Sequence, residues 1–149
     1  MPQEALMEII RRPSEGRSRA LLTACDLPTA DLQAHHFEHF WGCGDPENPQ
    51  GIIGLELLGS VALLRSLAVA PEVRGTGMGK VLVAAAETYA KETGVGELYL
   101  LTTTAAAFFA QLGYAHGDRK AVPEPIKATQ EFSGLCPSSA TLMVKKLAP

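Results

Sequence analysis

The sequence predicts an α/β fold in which a mixed sheet is flanked by helices. Apolar segments suited to buried strands alternate with segments of helical periodicity, and no internal repeat is present. Gly59 and Ser60 separate two apolar segments and match a two-residue hairpin loop, which joins antiparallel strands. A helix between two strands instead allows a parallel crossover. The two kinds of connection together indicate a mixed sheet, and 149 residues fit a single domain over residues 1–149.

The composition argues against several classes of protein. Hydrophobic residues make up 46% of the chain and the mean hydropathy is +0.08, which suits a folded domain. The net charge of −3 offers no basic surface for nucleic acid. No apolar run approaches the ~20 residues of a membrane helix, and the N-terminus lacks the pattern of a signal peptide. We therefore expect no nucleic-acid or membrane partner and a cytoplasmic location.

The first elements follow from alternation and capping. Ala5–Arg11 alternates as a first strand, and Ser14 can cap the helix that follows. Pro28 marks a break before a short second helix through Leu32–Ala34. These assignments place two helices between the first and second strands.

Three histidines lie in His35–Gly42, which is predicted as the second strand. On a strand, His35 and His39 share a face but lie ~13 Å apart, while His36 points the other way. One metal ion cannot be bound across that distance. We interpret the segment as a half-exposed strand without metal, which leaves open that one histidine faces a substrate.

The middle of the chain is predicted to form a hairpin. Gly44–Gly51 is rich in turn-forming residues and leads into a strand over Ile52–Leu58. The Gly-Ser loop then connects to a strand over Val61–Ala70, which Pro71 ends because proline has no N–H to donate. Across this hairpin Glu56 and Arg65 fall diagonally on one face of the sheet.

Two interpretations of Glu56 remain open at this point. It can form a cross-strand ion pair with Arg65, worth under ~1 kcal/mol if both groups are exposed. Alternatively, its apolar sequence neighbours indicate a carboxylate that faces a cleft and takes part in chemistry.

A glycine-rich turn, Arg74–Gly79, joins the buried strand to a helix predicted over Lys80–Thr93. Alternate glycines let the backbone approach a ligand closely, while the free N–H groups and the helix dipole favour an anion. A dinucleotide-binding turn would need glycine at Lys80, and a P-loop would need serine or threonine at Val81. The remaining interpretations are a different anion site and a plain strand-to-helix loop.

The last part of the chain contains three strands, a helix and a long loop. Thr103 or Thr104 can cap the helix, and Gly113 can end it. The predicted ranges are a strand over Glu97–Thr103, a helix over Ala105–Leu112, a strand from Tyr114, a loop over Gly117–Ser138 with a helical piece at Glu124–Phe132, and a strand over Ala140–Leu147.

The turn and the strand before it resemble a known family. Arg74–Gly79 reads R-x-x-G-x-G and Leu67–Pro71 reads L-x-V-x-P, as in the acetyl-CoA signature of the GNAT N-acetyltransferase superfamily. The order of elements is similar across nearly the whole chain. The resemblance implies a GNAT-like α/β fold: a mixed, mostly antiparallel, twisted sheet of about seven strands with flanking helices. It also implies acetyl transfer from acetyl-CoA, as co-substrate, to the primary amine of a small molecule.

The resemblance implies a binding site for CoA. The backbone of Leu67, Ala68 and Val69 would pair with the pantetheine arm, and Arg74 would add positive charge beside the diphosphate. The diphosphate itself would bind the backbone N–H groups of Gly75, Thr76, Gly77, Met78, Gly79 and Lys80.

Four residues are implied candidates for catalysis. The N–H of Val69 is the candidate oxyanion donor, and Glu56 is the candidate base, directly or through water. Family members often have a tyrosine as general acid where this chain has Phe109, in a segment expected beside the cofactor. We expect water, Ser138 or Cys136 to replace it, in that order.

The segments Ala128–Ala140 and Leu98–Ala105 together resemble a GNAT subfamily associated with arsenic-resistance operons, which implies an amino acid or an arsenic-containing analogue as acceptor. Glu131, Ser133, Cys136 and Ser138 would line the acceptor pocket. The alternative is that Cys136 and Pro137 only shape the turn before the last strand.

The three cysteines, Cys25, Cys43 and Cys136, show no C-x-x-C pairing, so we predict free thiols and neither a zinc site nor a disulfide. A second function, of a different class, is a non-catalytic acyl-CoA sensor or interaction module, which Phe109 favours. A homodimer paired through edge strands also remains open.

Overall fold

The computed structural model describes residues 8–129, 132 and 140–147. Seven strands form a sheet with the order β1-β2-β3-β4-β5-β7-β6. The strands are β1 (Ile9–Arg11), β2 (Phe40–Asp45), β3 (Asn48–Leu58), β4 (Val61–Val69), β5 (Glu97–Thr102), β6 (Ala115–His116) and β7 (Thr141–Lys146). The α-helices are α1 (Glu15–Ala24), α2 (Met78–Glu92), α3 (Ala106–Gln111) and α4 (Glu124–Lys127).

The strand pairing confirms a mixed, mostly antiparallel sheet. Antiparallel ladders join β1 to β2, β2 to β3, β5 to β7 and β6 to β7, whereas β4 and β5 run parallel. The helix α2 lies between β4 and β5 in the chain, as a parallel connection requires. At the β3–β4 turn Gly59 has φ +83° and Ser60 does not have positive φ, which fits the predicted two-residue loop.

The chain divides into two compact units, which we describe separately. The first comprises residues 1–55 and 66–88, and the second comprises residues 56–65 and 89–149. Among the described residues, no helix combines the length and the apolar character needed to cross a bilayer.

In the first unit, α1 packs its buried residues over the sheet. Ser14 caps α1 as predicted, because its Oγ accepts a hydrogen bond of 3.3 Å from the N–H of Arg17. Of the predicted first strand, Ile9–Arg11 is observed, and residues 5–7 lie outside the described residues. One apolar cluster in this unit contains Leu22, Leu32, Phe37, Phe40, Ile52 and Ala68.

The prediction for the histidine-containing segment was wrong. Residues Ala34–His39 form a 3-10 helix, and the predicted helix through Leu32–Ala34 is absent. The N–H of Gln33 donates a hydrogen bond of 2.8 Å to Nδ1 of His36, which caps the 3-10 helix locally. Phe37 then stacks 4.6 Å from Phe40, and β2 begins only at Phe40.

The predicted turn over Gly44–Gly51 was too long. Asp45 pairs directly with Asn48, so the two strands are joined by only two residues, and Pro49 lies inside β3. A register shift after Cys43 accommodates the proline, since proline is tolerated at bulges.

An apolar cluster in the second unit contains the buried residues Val61, Leu63, Tyr99, Val122, Ile126 and Leu142. The predicted cap of α3 was wrong, because the N-cap position is Ala105, whose side chain makes no capping hydrogen bond. Oγ1 of Thr102 accepts a hydrogen bond of 2.9 Å from the N–H of Ala105, just before the helix begins. Gly113 follows the helix with φ +97°, as expected of a glycine at a helix end.

Candidate functional site

The glycine turn is held in place by hydrogen bonds at its start. The N–H of Ala70 donates to the carbonyl of Gln50 in β3 at 2.8 Å, which fixes the end of β4. A short 3-10 helix over Pro71–Val73 follows. Oγ1 of Thr76 then donates to the carbonyl of Val73 at 2.7 Å. The turn therefore leaves the sheet in a defined direction and enters α2 at Met78.

The backbone of the turn presents free donors. Within the part of the chain that the structure describes, no hydrogen bond is seen from the N–H groups of residues 75–80, and the first intrahelical bond runs from Val81 to Gly77 at 3.1 Å. Gly75 and Gly77 have φ values of +81° and +89°, and a Cβ atom on either would meet no atom within 4 Å. Open space beside unpaired donors at a helix N-terminus suits a bound anion.

Met78 anchors the start of α2 to the sheet. Its side chain is 1% exposed, and its sulfur would lie 2.7 Å from a Cβ atom added to Gly51 in β3. Only a glycine at position 51 leaves this space, so Gly51 sets how closely the turn approaches the sheet. Gly51 was missed from the sequence, although a glycine inside an apolar strand indicates such a close approach.

The strand before the turn is irregular. Ser66 in β4 has φ +62°, an uncommon conformation for a residue with a side chain, and its side chain is buried. In the second unit, the parallel ladder of β4 with β5 ends at Leu63 and Tyr99, although β5 continues to Thr102. A single serine gave no sequence signal for this irregularity. It directly precedes residues 67–69, for which pantetheine contacts were predicted.

The side chain of Arg74 folds back onto the end of β4. Its Nε donates a hydrogen bond of 3.0 Å to the carbonyl of Val69, and its Nη2 lies 3.6 Å from Sγ of Cys25. The thiol of Cys25 is itself 3.9 Å from the same carbonyl. Cys25 was predicted only as a free thiol, and its distance in sequence gave no signal for this contact.

In the second unit, Glu56 and Arg65 form the predicted ion pair. Nη1 of Arg65 donates to Oε2 of Glu56 at 2.8 Å, with side-chain exposures of 0% for Arg65 and 14% for Glu56. Arg65 is therefore buried and Glu56 is partly buried, whereas the value of under ~1 kcal/mol applies to a pair in which both groups are exposed. The carboxylate is oriented by a guanidinium and keeps a small exposed fraction.

Phe109 is enclosed by aromatic rings in the second unit. It is 5% exposed, and its ring meets Phe108 and Tyr114 edge-on at centroid distances of 5.1 and 5.5 Å. It carries no hydroxyl that could act as an acid. The other predicted acids, Ser138 and Cys136, and the predicted pocket residues 131 and 133, lie outside the described residues.

The remaining cysteine among the described residues, Cys43, lies in the interior and not at a site. Cys43 is fully buried, and burial raises the pKa of its thiol to about 11. Among the described residues, no group of three or more His, Cys, Asp or Glu side chains is arranged to hold a metal ion.

Solved structures share the fold at low sequence identity. N-acetylglutamate synthase from Neisseria gonorrhoeae, complexed with coenzyme A and N-acetyl-glutamate, has a TM-score of 0.82 at 20% identity. The match covers 95% of this chain and 35% of that one. Rv2747 from Mycobacterium tuberculosis, in complex with CoA, has a TM-score of 0.75 at 19% identity and covers 95% and 99% of the two chains. At these identities the likeness concerns the fold.

Sequence comparison gives the family. An uncharacterized N-acetyltransferase, CT2212, from Chlorobaculum tepidum is 39% identical over 66 residues, which span 44% of this chain and 42% of that relative. The sequence model of the Acetyltransferase (GNAT) family matches residues 4–114. Since this match covers more than half of the sequence, the chain belongs to the GNAT acetyltransferase family.

Proposed function

We propose that the protein is an N-acetyltransferase that transfers the acetyl group of acetyl-CoA to the primary amine of a small molecule. The observation that carries this proposal is the turn at Arg74–Gly79, where helix α2 begins with N–H groups that have no hydrogen-bond partner among the described residues. Backbone donors of this kind suit the diphosphate of CoA. Family membership, and the CoA complexes of proteins with the same fold, support this choice of ligand.

Acetyl transfer from the thioester of acetyl-CoA to an amine has three requirements that the protein must meet. The acetyl group has to be held for attack, negative charge on its oxygen has to be stabilised, and the amine has to lose a proton. We assign the backbone of residues 67–69 to the pantetheine arm and the N–H of Val69 to the developing charge. Glu56 accepts the amine proton, directly or through one water.

The departing sulfur needs little assistance, which makes the missing tyrosine tolerable. A thiol such as that of CoA has a pKa near the ~8.5 of free cysteine, so a thiolate leaves readily at neutral pH. We assign its protonation to water first, then to Ser138, then to Cys136. Phe109 would contribute only apolar contact.

For the acceptor, we propose an amino acid or a related small amine. N-acetylglutamate synthase, which has the same fold, is complexed with coenzyme A and N-acetyl-glutamate, and this supports an amino-acid acceptor. The resemblance of Ala128–Ala140 to proteins associated with arsenic-resistance operons adds arsenic-containing amino acid analogues to the candidates.

A non-catalytic acyl-CoA-binding sensor is the second candidate function, favoured by the phenylalanine at position 109. The two candidates share the donor site and differ only in turnover. The carboxylate of Glu56 favours the enzyme, because 14% of its side chain stays exposed and can accept a proton from an amine.

The experiment combines binding with turnover. CoA affinity is measured by calorimetry, and thiol release from acetyl-CoA is followed with a chromogenic reagent across a panel of amino acids, arsenic-containing analogues and simple amines. Reactions without amine correct for hydrolysis and for the thiols of the protein itself. Amine-dependent release supports the enzyme; CoA binding without turnover supports the sensor; absence of CoA binding contradicts both.

A further inference from the structure

The carbonyl oxygen of Val69 is held by two side chains from different parts of the first unit. Nε of Arg74 donates to it at 3.0 Å, and the thiol of Cys25, just after α1, lies at 3.9 Å. The two side chains also contact each other, with Nη2 of Arg74 3.6 Å from Sγ of Cys25. Two side chains, one just after α1 and one in the glycine turn, therefore contact the same backbone oxygen at the end of β4.

The direction of this contact follows from the register of β4. The N–H of Ala70 points toward β3, since it donates to the carbonyl of Gln50 at 2.8 Å. Backbone groups alternate sides along a strand, so both the N–H and the carbonyl of Val69 point away from β3. Arg74 and Cys25 thus bind Val69 on the side where its N–H is also presented.

The peptide that joins Val69 to Ala70 is consequently fixed at both of its polar ends. Its N–H is bound by Gln50, and its carbonyl is bound by Arg74 and Cys25. Only the φ and ψ angles of Val69 separate this peptide from the N–H of Val69. An oxyanion donor is effective only when it is aimed in advance, so restraining its neighbour matters for rate.

We propose that Arg74 and Cys25 are positioning residues that hold the N–H of Val69 in the direction needed to stabilise the acetyl oxygen. The inference rests on the proposed function, in which that N–H is the oxyanion donor. It differs from the sequence-based expectation, in which Arg74 supplies charge to the diphosphate. Two of the guanidinium nitrogens are already engaged by Val69 and Cys25.

The two roles of Arg74 respond differently when the diphosphate is removed from the donor. S-acetyl-pantetheine keeps the reacting group and the pantetheine arm but lacks the diphosphate and nucleotide. Substituting a residue that binds the diphosphate should not change the rate with this truncated donor. Substituting a residue that positions Val69 should lower the rate with both donors.

The test compares acetyl-CoA and S-acetyl-pantetheine as donors to wild type and three variants. Arg74→Gln should lower kcat about tenfold with both donors, less than the loss of a whole oxyanion donor, and change KM for acetyl-CoA less than about threefold. Cys25→Ala should lower kcat by a smaller factor, and Cys25→Ser, which keeps a donor, should lie between it and wild type. Arg17→Gln removes one exposed charge from α1 and serves as the control for charge alone.

The opposite pattern overturns the inference. If Arg74→Gln raises KM for acetyl-CoA and has no effect with S-acetyl-pantetheine, Arg74 is a diphosphate ligand. An activity-independent measurement separates this failure from failure of the proposed function. The amide 15N resonance of Ala70 should shift in Arg74→Gln, because the carbonyl in the same peptide loses a charged hydrogen bond, and an unchanged resonance overturns the inference even if no amine is acetylated.

Discussion

The buried guanidinium of Arg65 donates a 2.8 Å hydrogen bond to the carboxylate of Glu56, and only 14% of the Glu56 side chain is exposed. Two opposite charges removed from water in this way depend on each other. Removing one partner of a buried pair leaves an uncompensated charge, whereas replacing both with apolar groups is often tolerated. Glu56 is therefore a structural residue, whatever it does in catalysis.

We predict that Glu56→Ala lowers the free energy of unfolding by about 3–5 kcal/mol, because the buried guanidinium of Arg65 loses the carboxylate that it binds at 2.8 Å. Urea denaturation at neutral pH measures the change. The double variant Glu56→Leu with Arg65→Met should lie much closer to wild type than Glu56→Ala does. A double variant as unstable as Glu56→Ala would contradict the dependence of the two charges on each other.

The catalytic assignment of Glu56 predicts a pH-dependent rate defect in Glu56→Gln. Below the pKa of the acceptor amine a base is needed to remove the ammonium proton, so the ratio of wild-type to variant rate should be largest there. Above that pKa the amine is already neutral, and the two rates should converge. Rates are measured from pH 6 to pH 10, with the folded fraction checked at each pH. A constant ratio removes Glu56 from the role of base.

The turn was predictable because its signal is local. The glycines of Arg74–Gly79 lie directly between the strand and the helix that they connect. Their spacing alone therefore distinguished the turn from two other phosphate-binding motifs. The Gly59 loop was predictable for the same reason, and it correctly placed Glu56 and Arg65 on one face of the hairpin, where they form an ion pair. What spacing could not give was the burial of that pair, which depends on what packs over the strands.

Contacts between distant segments were not predictable. Cys25 reaches Val69 across 44 positions in sequence, and no pattern links the two. The segment at His36 failed for a different reason: a side chain capped the backbone locally and formed a 3-10 helix where alternation suggested a strand. The periodicity of apolar residues does not reveal where a side chain will form such a hydrogen bond with the backbone.

A substitution in the turn should separate backbone strain from ligand contact. We predict that Gly77→Val weakens CoA binding at least about 100-fold, because its side chain enters the open space beside the free N–H groups and two charge-assisted hydrogen bonds are lost. Calorimetry with CoA measures the affinity. Both this variant and its control also lose backbone stability, since a left-handed conformation is unfavourable for valine by about 1–2 kcal/mol.

Gly59→Val is the matched control for that substitution. Gly59 has a similar φ of +83° and equally open surroundings, but lies in the hairpin loop. It should lose comparable stability and keep the wild-type affinity for CoA. Equal affinity losses in the two variants would show that instability, and not the diphosphate, explains the effect at Gly77.

A further prediction concerns the anchor beneath the turn. Gly51→Ala places a methyl group 2.7 Å from the sulfur of Met78, so the Met78 side chain has to move and its packing under the start of α2 changes. Overpacking of this kind costs about 1–3 kcal/mol, and the N–H groups at the start of α2 should also bind CoA several-fold more weakly. Urea denaturation and calorimetry measure the two effects.

The control for Gly51 lies three residues further along β3. A Cβ atom on Gly54 would meet the ring of Phe40 at 2.5 Å, away from the turn. Gly54→Ala should therefore destabilise the protein and leave CoA affinity unchanged. If Gly54→Ala weakens CoA binding as much as Gly51→Ala does, the loss comes from general destabilisation of the sheet.

The thiol of Cys43 predicts a specific loss of stability at alkaline pH. Burial raises its pKa from 9.0 to about 11, so the folded protein retains a proton that the unfolded chain releases first. The stabilisation is complete below pH 9 and is lost as the pH rises toward 11; by pH 10.5 the loss amounts to about 2 kcal/mol.

Wild type and Cys43→Ala are unfolded in urea with reductant at pH 7.5 and pH 10.5. Tyr99, whose pKa is raised by burial and by Glu97, contributes equally to both proteins, so their difference isolates Cys43. The stability advantage of wild type over Cys43→Ala should shrink at the higher pH, and an unchanged advantage would show that the thiol ionises as easily in the folded chain as in the unfolded one.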